Sequence, residues 1–245
     1  KRAYADRNYY LADPDFVEMP LERMTSPGYA AERAASISLT TATPSSTIQP
    51  GLGEARPEGP NTTHFSIVDE MGNAVAVTTT LNSWYGSKVT VAGAGFLLNN
   101  EMDDFSALPG APNQYRLVQG ENNAVGPGKR MLSAMTPAIV LAPDGSVSMV
   151  PGTPGGATII TTVLEFDMDV VEAVSAPRVH HQHLPDEIVY ERDGLEASTV
   201  RALEALGHRV VERSGISGDV QMILVEDGLL TGWSDPRRGG RAIGY

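Results

Sequence analysis

The chain has no cysteine and only three lysines among its 245 residues. Without cysteine there are no disulfides, no thiolate nucleophile and no cysteine-based zinc site. The same absence removes a common clue to compartment, since a cysteine-free protein works in oxidising and reducing surroundings alike. Cations are outnumbered: 18 Lys and Arg stand against 30 Asp and Glu, a formal net charge of −12. A surface that acidic argues against nucleic acid and anionic membrane as partners. No apolar run approaches the roughly 18 residues that a membrane span requires. No signal peptide is visible, and Lys1-Arg2-Ala3-Tyr4-Ala5-Asp6 reads as the interior of a longer chain, so the N-terminus is expected further upstream. What is present, 41% hydrophobic residues, suffices to bury the core of one large domain or two small ones.

The Pro/Gly/Glu-rich run from Pro50 to Pro60 ends at Asn61, and from His64 an apolar/polar alternation begins. Phe65, Ile67, Val75 and Val77 share one face across Gly72-Asn73, which predicts a β-hairpin. A second hairpin is expected over Pro137 to Val150, turning at Pro143-Asp144-Gly145. Helices are predicted from Ser26-Pro27 through Ala35, over Ala157 to Phe166, around Glu172-Ala173-Val174, and over Glu196 to Leu206. Phe96 to Asn100, Glu187 to Glu191, Val210-Val211, Val220 to Val225 and Leu229 to Trp233 read as strands. Residues 106 to 130 form a long Pro/Gly-rich connection with Tyr115 near its middle, a pattern typical of a lid or binding loop. Antiparallel strands in two layers with helices after each hairpin suggest an α+β sandwich.

Five groups of residues carry possible chemistry. Thr62 stands at the mouth of the first strand. If the Asn61–Thr62 peptide were cut, Thr62 would hold both a nucleophilic Oγ and a base, its freed α-amine with a pKa of about 8. Two threonines leading into a strand are also what β-propensity alone favours. Gly155-Gly156, opening a helix after Thr153-Pro154, offers backbone N–H groups to a developing oxyanion, or is simply a glycine turn. Glu101 and Asp104, with Asp103 between them, can receive an ammonium group or form a solvated acidic loop. Arg130, Ser133 and Met135 precede the second hairpin, where cation and hydroxyl can meet a carboxylate. His180-His181-Gln182-His183 with Asp186-Glu187 resembles a metal cluster at first sight. Adjacent histidines diverge on any regular backbone, so packing and capping roles are expected there and no metal is assigned.

In combination these residues resemble the γ-glutamyltranspeptidase family of N-terminal nucleophile (Ntn) hydrolases. The matching strings are Thr62-Thr63-His64-Phe65-Ser66, Gly72-Asn73-Ala74-Val75-Ala76-Val77-Thr78, Leu98-Asn99-Asn100-Glu101-Met102-Asp103-Asp104-Phe105, Pro154-Gly155-Gly156 and Asp235-Pro236-Arg237. Upstream, Tyr4-Ala5-Asp6-Arg7 and Asp13-Pro14-Asp15-Phe16 resemble the end of that family's large subunit. The resemblance implies an α+β fold, the Ntn αββα sandwich of two stacked, mainly antiparallel sheets flanked by helices. Residues 1–61 would be the C-terminal tail of the large subunit with the linker to the processing site, and residues 62–245 the small catalytic subunit.

It further implies that Thr62 cleaves the chain after Asn61 and then attacks γ-glutamyl amides such as glutathione. The acyl group would pass to water or to an amino acid or peptide. Thr80 would orient the nucleophile and Gly155 and Gly156 would form the oxyanion hole. Asn82, Glu101 and Asp104 would hold the α-amino and α-carboxylate ends of the glutamyl group, with Ser133 on the carboxylate and Tyr115 on a lid. No cofactor and no metal are implied; the partners are γ-glutamyl small molecules, their acceptors and the large subunit of the same precursor. Bacterial members are periplasmic or secreted. One departure matters: the family usually has two adjacent serines where this chain has Ser133-Ala134. Losing a buried donor to a charged group costs about 1.5–3 kcal/mol if nothing replaces it. A glutaryl or cephalosporin-type acylase of the same family, or an uncleaved inactive homologue, is therefore the alternative reading.

Overall fold

The computed structural model describes residues 1–51, 63–111, 113–114, 119–153, 158–213 and 218–244. Asn61, Thr62, Tyr115, Gly155 and Gly156 lie outside the described residues. Helices α1 (Arg2–Tyr10), α2 (Leu21–Met24) and α3 (Pro27–Ala35) come first, then strands β1 (Thr63–Val68) and β2 (Ala74–Thr79). Strands β3 (Val140–Leu141) and β4 (Val147–Gly152) precede helices α4 (Thr158–Phe166) and α5 (Val170–Ser175). Strands β5 (Val179–His180) and β6 (Ile188–Glu191), helix α6 (Ala197–Ala205), and strands β7 (Val210–Arg213), β8 (Gln221–Glu226) and β9 (Leu229–Ser234) follow. Three 3₁₀ turns, Ser45–Thr47, Glu101–Asp104 and Glu121–Asn123, punctuate the connections. No helix among the described residues is long and apolar enough to cross a membrane.

The chain divides into two compact units. The first gathers the described residues of Lys1–Gly59, Glu101–Ser133 and Pro177–Gly215, the second those of Pro60–Asn100, Ala134–Ala176 and Ile216–Tyr245. In the second unit, β1 and β2 pair antiparallel from Thr63↔Thr79 to Val68↔Ala74. The turn between them is held by the Asp69 carboxylate, which accepts from the Met71 and Asn73 amides at 2.9 and 2.8 Å and from Asn73 Nδ2 at 2.7 Å. Gly72 adopts φ +82° there, a conformation that a side chain would disfavour. The hairpin packs on β4 and β8 of a four-stranded sheet ordered β3-β4-β8-β9, all antiparallel. Helix α5 packs on β8 and β9, and its Val170, Ala173 and Val174 close over Met149, Val220, Met222 and Leu224 as the unit's core. The Asp169–Glu172 capping box starts α5, and Pro177 lies just beyond its end. These are sheet-on-sheet and sheet-on-helix layers of the Ntn-hydrolase sandwich.

Period-two alternation decides what the hairpin shows to each side. His64 and Val68 are buried, whereas Phe65, Ile67 and Val75 are 44%, 54% and 46% exposed. The apolar face read from the sequence is thus the outward one.

In the first unit, α1 buries Ala5 against Ile48 and sets Asp6 against Arg33 at 3.0 Å. A three-stranded sheet orders β5-β6-β7, with β5–β6 antiparallel and β6–β7 parallel across the α6 connection. Strand pairing among the described residues is therefore mainly, not wholly, antiparallel. Strand β5 has no counterpart among the elements expected from the sequence, and α1 and α2 are expected there only as short helical patterns without bounds within residues 1–40. Arg2, Asp6, Arg7 and Asn8 interrupt any apolar stripe along α1, and β5 is a two-residue strand defined by its pairing with β6. Phe96 to Asn100 is not a strand; of that stretch only Leu97 bridges, to Thr90, because no neighbouring strand extends the pairing.

Candidate active site

Strand β1 begins one residue after Thr62, and β2 ends one residue before Thr80. Thr80 Oγ1 accepts the Asn82 backbone N–H at 2.8 Å, and an oxygen that accepts in this way still carries a proton to donate. Asn82 holds φ at +70° with its side chain buried, a backbone state that asparagine tolerates better than most residues. Its Nδ2 donates to the Asn100 carbonyl at 3.2 Å. Asn100 in turn takes the Ser83 amide on Oδ1 and gives Nδ2 to Ser83 Oγ, both at 2.9 Å. Thr80 and Asn82, assigned separately by resemblance, are thereby brought together, with Asn100 as an unforeseen clamp.

Beneath the hairpin lies a second residue that sequence reasoning did not single out. His64 is buried, with Nδ1 2.7 Å from Thr78 Oγ1 and Nε2 2.9 Å from Ser66 Oγ. Ser66 spends its hydroxyl proton on the Val150 carbonyl at 2.8 Å. Nε2 must then be the protonated nitrogen and Nδ1 the acceptor of the Thr78 hydroxyl. Burial lowers the His64 pKa, consistent with a neutral ring. A Cβ at Gly152 would overlap that ring, so glycine is required at the end of β4, three residues before Gly155. This network ties β1 to β2 and to β4. Its sequence signal, alternating His and Ser on the buried face of β1 with Thr78 opposite His64, appears only once the register is known.

Within the first unit, Glu101 and Asp104 share one 3₁₀ turn. Both are half-buried, and burial pushes the Glu101 carboxyl above its usual pKa. The Asp104 carbonyl accepts from Asn123 Nδ2 at 2.7 Å and from Gln119 Nε2 at 3.3 Å. Ser133 is half-buried, and its carbonyl accepts from Arg7 Nη2 at 3.2 Å. Arg130, expected to face a carboxylate ligand with Ser133, instead pairs with Asp13 (Nη2 to Oδ1 2.6 Å) and with Asp15 at 2.5 Å. Residues 119–124 are not the free lid their composition suggests, since Gln119 and Asn123 are both buried.

The Asp13–Arg130 pair has a pH signature. The Arg130 guanidinium and backbone N–H hold the Asp13 carboxyl far below the usual carboxylate range. A depressed folded-state pKa stabilises the fold above the unfolded value, about 3.9, and that contribution fades as pH falls toward the folded value. Asp13→Asn is therefore expected to melt several degrees below wild type at pH 7, with the gap narrowing as the pH falls below about 4. Melting curves of both proteins across that range check it; a gap constant with pH would contradict the pairing.

The histidine cluster is spent on packing. His183 Nε2 sits 2.9 Å from the Ser45 carbonyl, and His180 Nε2 2.6 Å from Gln182 Oε1. Burial and the nearby Lys1 push His181 down to about 3, leaving it neutral 3.4 Å from Asp186. Among the described residues no three His, Asp or Glu side chains are placed to hold a metal ion.

All of residues 1–245 match the family described as Gamma-glutamyltranspeptidase. The chain belongs to the γ-glutamyltranspeptidase family. The glutathione hydrolase proenzyme of Escherichia coli (strain K12) is 49% identical over 244 residues, 97% of this chain and 42% of that protein. The glutathione hydrolase proenzyme of Pseudomonas aeruginosa is 46% identical over 253 residues, 100% of this chain and 44% of that protein. The chain thus spans less than half the length of these relatives. Among solved structures, the γ-glutamyltranspeptidase from Pseudomonas nitroreducens complexed with L-DON matches with a TM-score of 0.68 and 47% identity, over 75% of this chain and 98% of that one. Membership of the γ-glutamyltranspeptidase family accounts for the order of the motifs along the chain, from Thr62 to Asp235-Pro236-Arg237.

Proposed function

We propose that this chain carries the catalytic part of a self-processing γ-glutamyltransferase and glutathione hydrolase. The observation that carries the reading is that nearly all of this chain aligns, at 46–49% identity, with part of two glutathione hydrolase proenzymes. In maturation, Thr62 Oγ attacks the Asn61 carbonyl, the C–N bond breaks, and the nitrogen becomes a free amine. Water then hydrolyses the Asn61–Thr62 ester, releasing residues 1–61 as a tail of the large subunit and 62–245 as the small one. The 184 residues from Thr62 to Tyr245 make up 75% of the chain, the share matched by the solved P. nitroreducens chain over 98% of its length.

In turnover, Thr62 Oγ attacks the γ-carbonyl of glutathione or another γ-glutamyl amide while the Thr62 amine takes its proton. The Gly155 and Gly156 amides stabilise the oxyanion, an effect of roughly 10²–10³ in rate per donor. The amine returns the proton to the leaving nitrogen, and a γ-glutamyl ester remains. Water or an amino-acid or peptide acceptor then attacks the ester and restores the Thr62 hydroxyl. Thr80 orients Oγ, Asn82, Glu101 and Asp104 hold the α-amino and α-carboxylate ends of the glutamyl group, and Ser133 adds a hydroxyl at the carboxylate. Tyr115 covers the bound acyl group. The remainder of the precursor supplies a cover for the exposed Phe65, Ile67 and Val75 face, and a periplasmic or secreted location is the one the family resemblance implies. Ala134 favours one second reading, an acylase for glutaryl side chains that needs fewer donors at the carboxylate end.

Mass spectrometry of the full-length protein is the test. A fragment beginning at Thr62, with release of p-nitroaniline from the γ-glutamyl anilide, is expected; an intact chain without turnover would reject the proposal.

A further inference from the structure

Asn123 follows the acidic turn and precedes Ser133 in the chain, sits in the 3₁₀ turn Glu121–Asn123, and is 1% exposed. Every polar atom of its amide is engaged. Nδ2 donates to the Asp104 carbonyl at 2.7 Å and to Gln119 Oε1, while Oδ1 accepts the Leu132 amide at 3.0 Å. These partners fix its orientation, because a flipped amide would set oxygen against the Asp104 carbonyl and NH₂ against the Leu132 N–H. The Asn123 carbonyl accepts the Ser106 amide at 2.9 Å, and Ser106 Oγ donates to the Gln119 carbonyl at 3.0 Å. Lys129 Nζ closes the turn from the other side, donating to the Asn122 and Ala124 carbonyls at 2.6 and 3.0 Å. One buried side chain thus bridges the turn that carries Glu101 and Asp104 and the residue just before Ser133.

We infer that Asn123 is a positioning residue for acyl recognition: it sets the spacing between the Glu101–Asp104 carboxylates and Ser133. The inference rests on the functional reading above and deepens it. A γ-glutamyl group carries its ammonium and carboxylate on a single carbon, so the two charges sit at a fixed short separation. Groups that receive both must match that separation within roughly half an ångström, and a misplacement of about 1 Å can cost on the order of 10²-fold. An amide with all its hydrogen bonds made in a buried site is a stiff spacer. A flexible surface loop of the same length would not hold the two segments in register.

The test compares full-length wild type with Asn123→Ala and with Gln119→Met, which removes one of Asn123's partners and the second donor to Asp104. Asn123→Ala is expected to raise KM for the γ-glutamyl anilide about tenfold or more. Its kcat and its half-time for cleavage at Asn61–Thr62 should stay within about threefold, because the partners Asn123 loses are Asp104, Gln119 and Leu132. A role confined to general stability would instead lower Tm, kcat and processing together with no selective rise in KM, and that pattern overturns the inference. So does an unchanged KM. If Asn123→Ala yields no folded protein, Gln119→Met decides: a KM rise of about threefold with kcat preserved supports the spacing role, and an unchanged KM overturns it. A wild type that neither cleaves itself nor turns over the anilide overturns the functional reading itself, an outcome distinct from an active wild type with an indifferent Asn123→Ala.

Discussion

Full-length protein carrying Thr62→Ala is expected to stay a single uncut polypeptide and to lose γ-glutamyl anilide turnover by about 10³-fold or more. Both effects have one cause. On the proposed mechanism, maturation and turnover each need an oxygen nucleophile on residue 62, and the turnover base, the α-amine of that residue, exists only after maturation. Alanine removes the first and so prevents the second. Water cannot substitute at a comparable rate, because a positioned hydroxyl acts with an effective molarity of up to roughly 10⁵–10⁸ M. Thr62→Ser keeps the oxygen and should still be cleaved, more slowly, since it lacks the methyl that restricts the Thr rotamer. Gel electrophoresis and the chromogenic assay read the two effects separately. Normal cleavage of the alanine variant would end the assignment of residue 62, whatever its turnover.

The second large effect concerns what the site accepts. Asp104→Asn is expected to lower kcat/KM for the γ-glutamyl anilide by about 10–100-fold, mostly through KM, which corresponds to the roughly 1.5–3 kcal/mol of a hydrogen bond to a charged group. The glutaryl anilide, which has no ammonium, should be unaffected or turned over better, because one uncompensated carboxylate fewer stands beside it. Glu101 adds a pH dependence. Its burial raises the carboxyl pKa, so it takes up a proton at higher pH than an ordinary glutamate, and the protonated form no longer attracts an ammonium. KM for the γ-glutamyl anilide should therefore climb as pH falls through that raised pKa, and Glu101→Gln should flatten the climb. Steady-state kinetics on both anilides across pH decide it. Equal losses on the two substrates would assign the acidic turn a role other than ammonium recognition and would favour the glutaryl reading that Ala134 invites.

Much of this was legible in the residues alone. The β1–β2 and β3–β4 hairpins, helices α3 to α6 and strands β6 to β9 all follow from local causes: period-two alternation, the Gly72-Asn73 and Asp144-Gly145 turns, the Ser26-Pro27 start and the Pro177 stop. Each is a preference expressed over a few neighbouring residues. The motif order in the sequence also pointed to the family, because the strings at Thr62, Glu101 to Asp104 and Gly155-Gly156 lie along one chain in a set sequence.

What only the tertiary structure decided is which groups meet across long separations. Arg130 and Asp13 are 117 positions apart, and their pairing turns a candidate carboxylate binder into a brace. Asp104 and Asn123 lie 19 apart, the second of them inside a stretch whose prolines and glycines suggested a lid. His64 and Val150 are joined through Ser66, a link that exists only because β1 lies on β4. Composition and periodicity act over one turn of helix or one hairpin, whereas a buried polar group chooses its partner only after the chain has folded and water is gone.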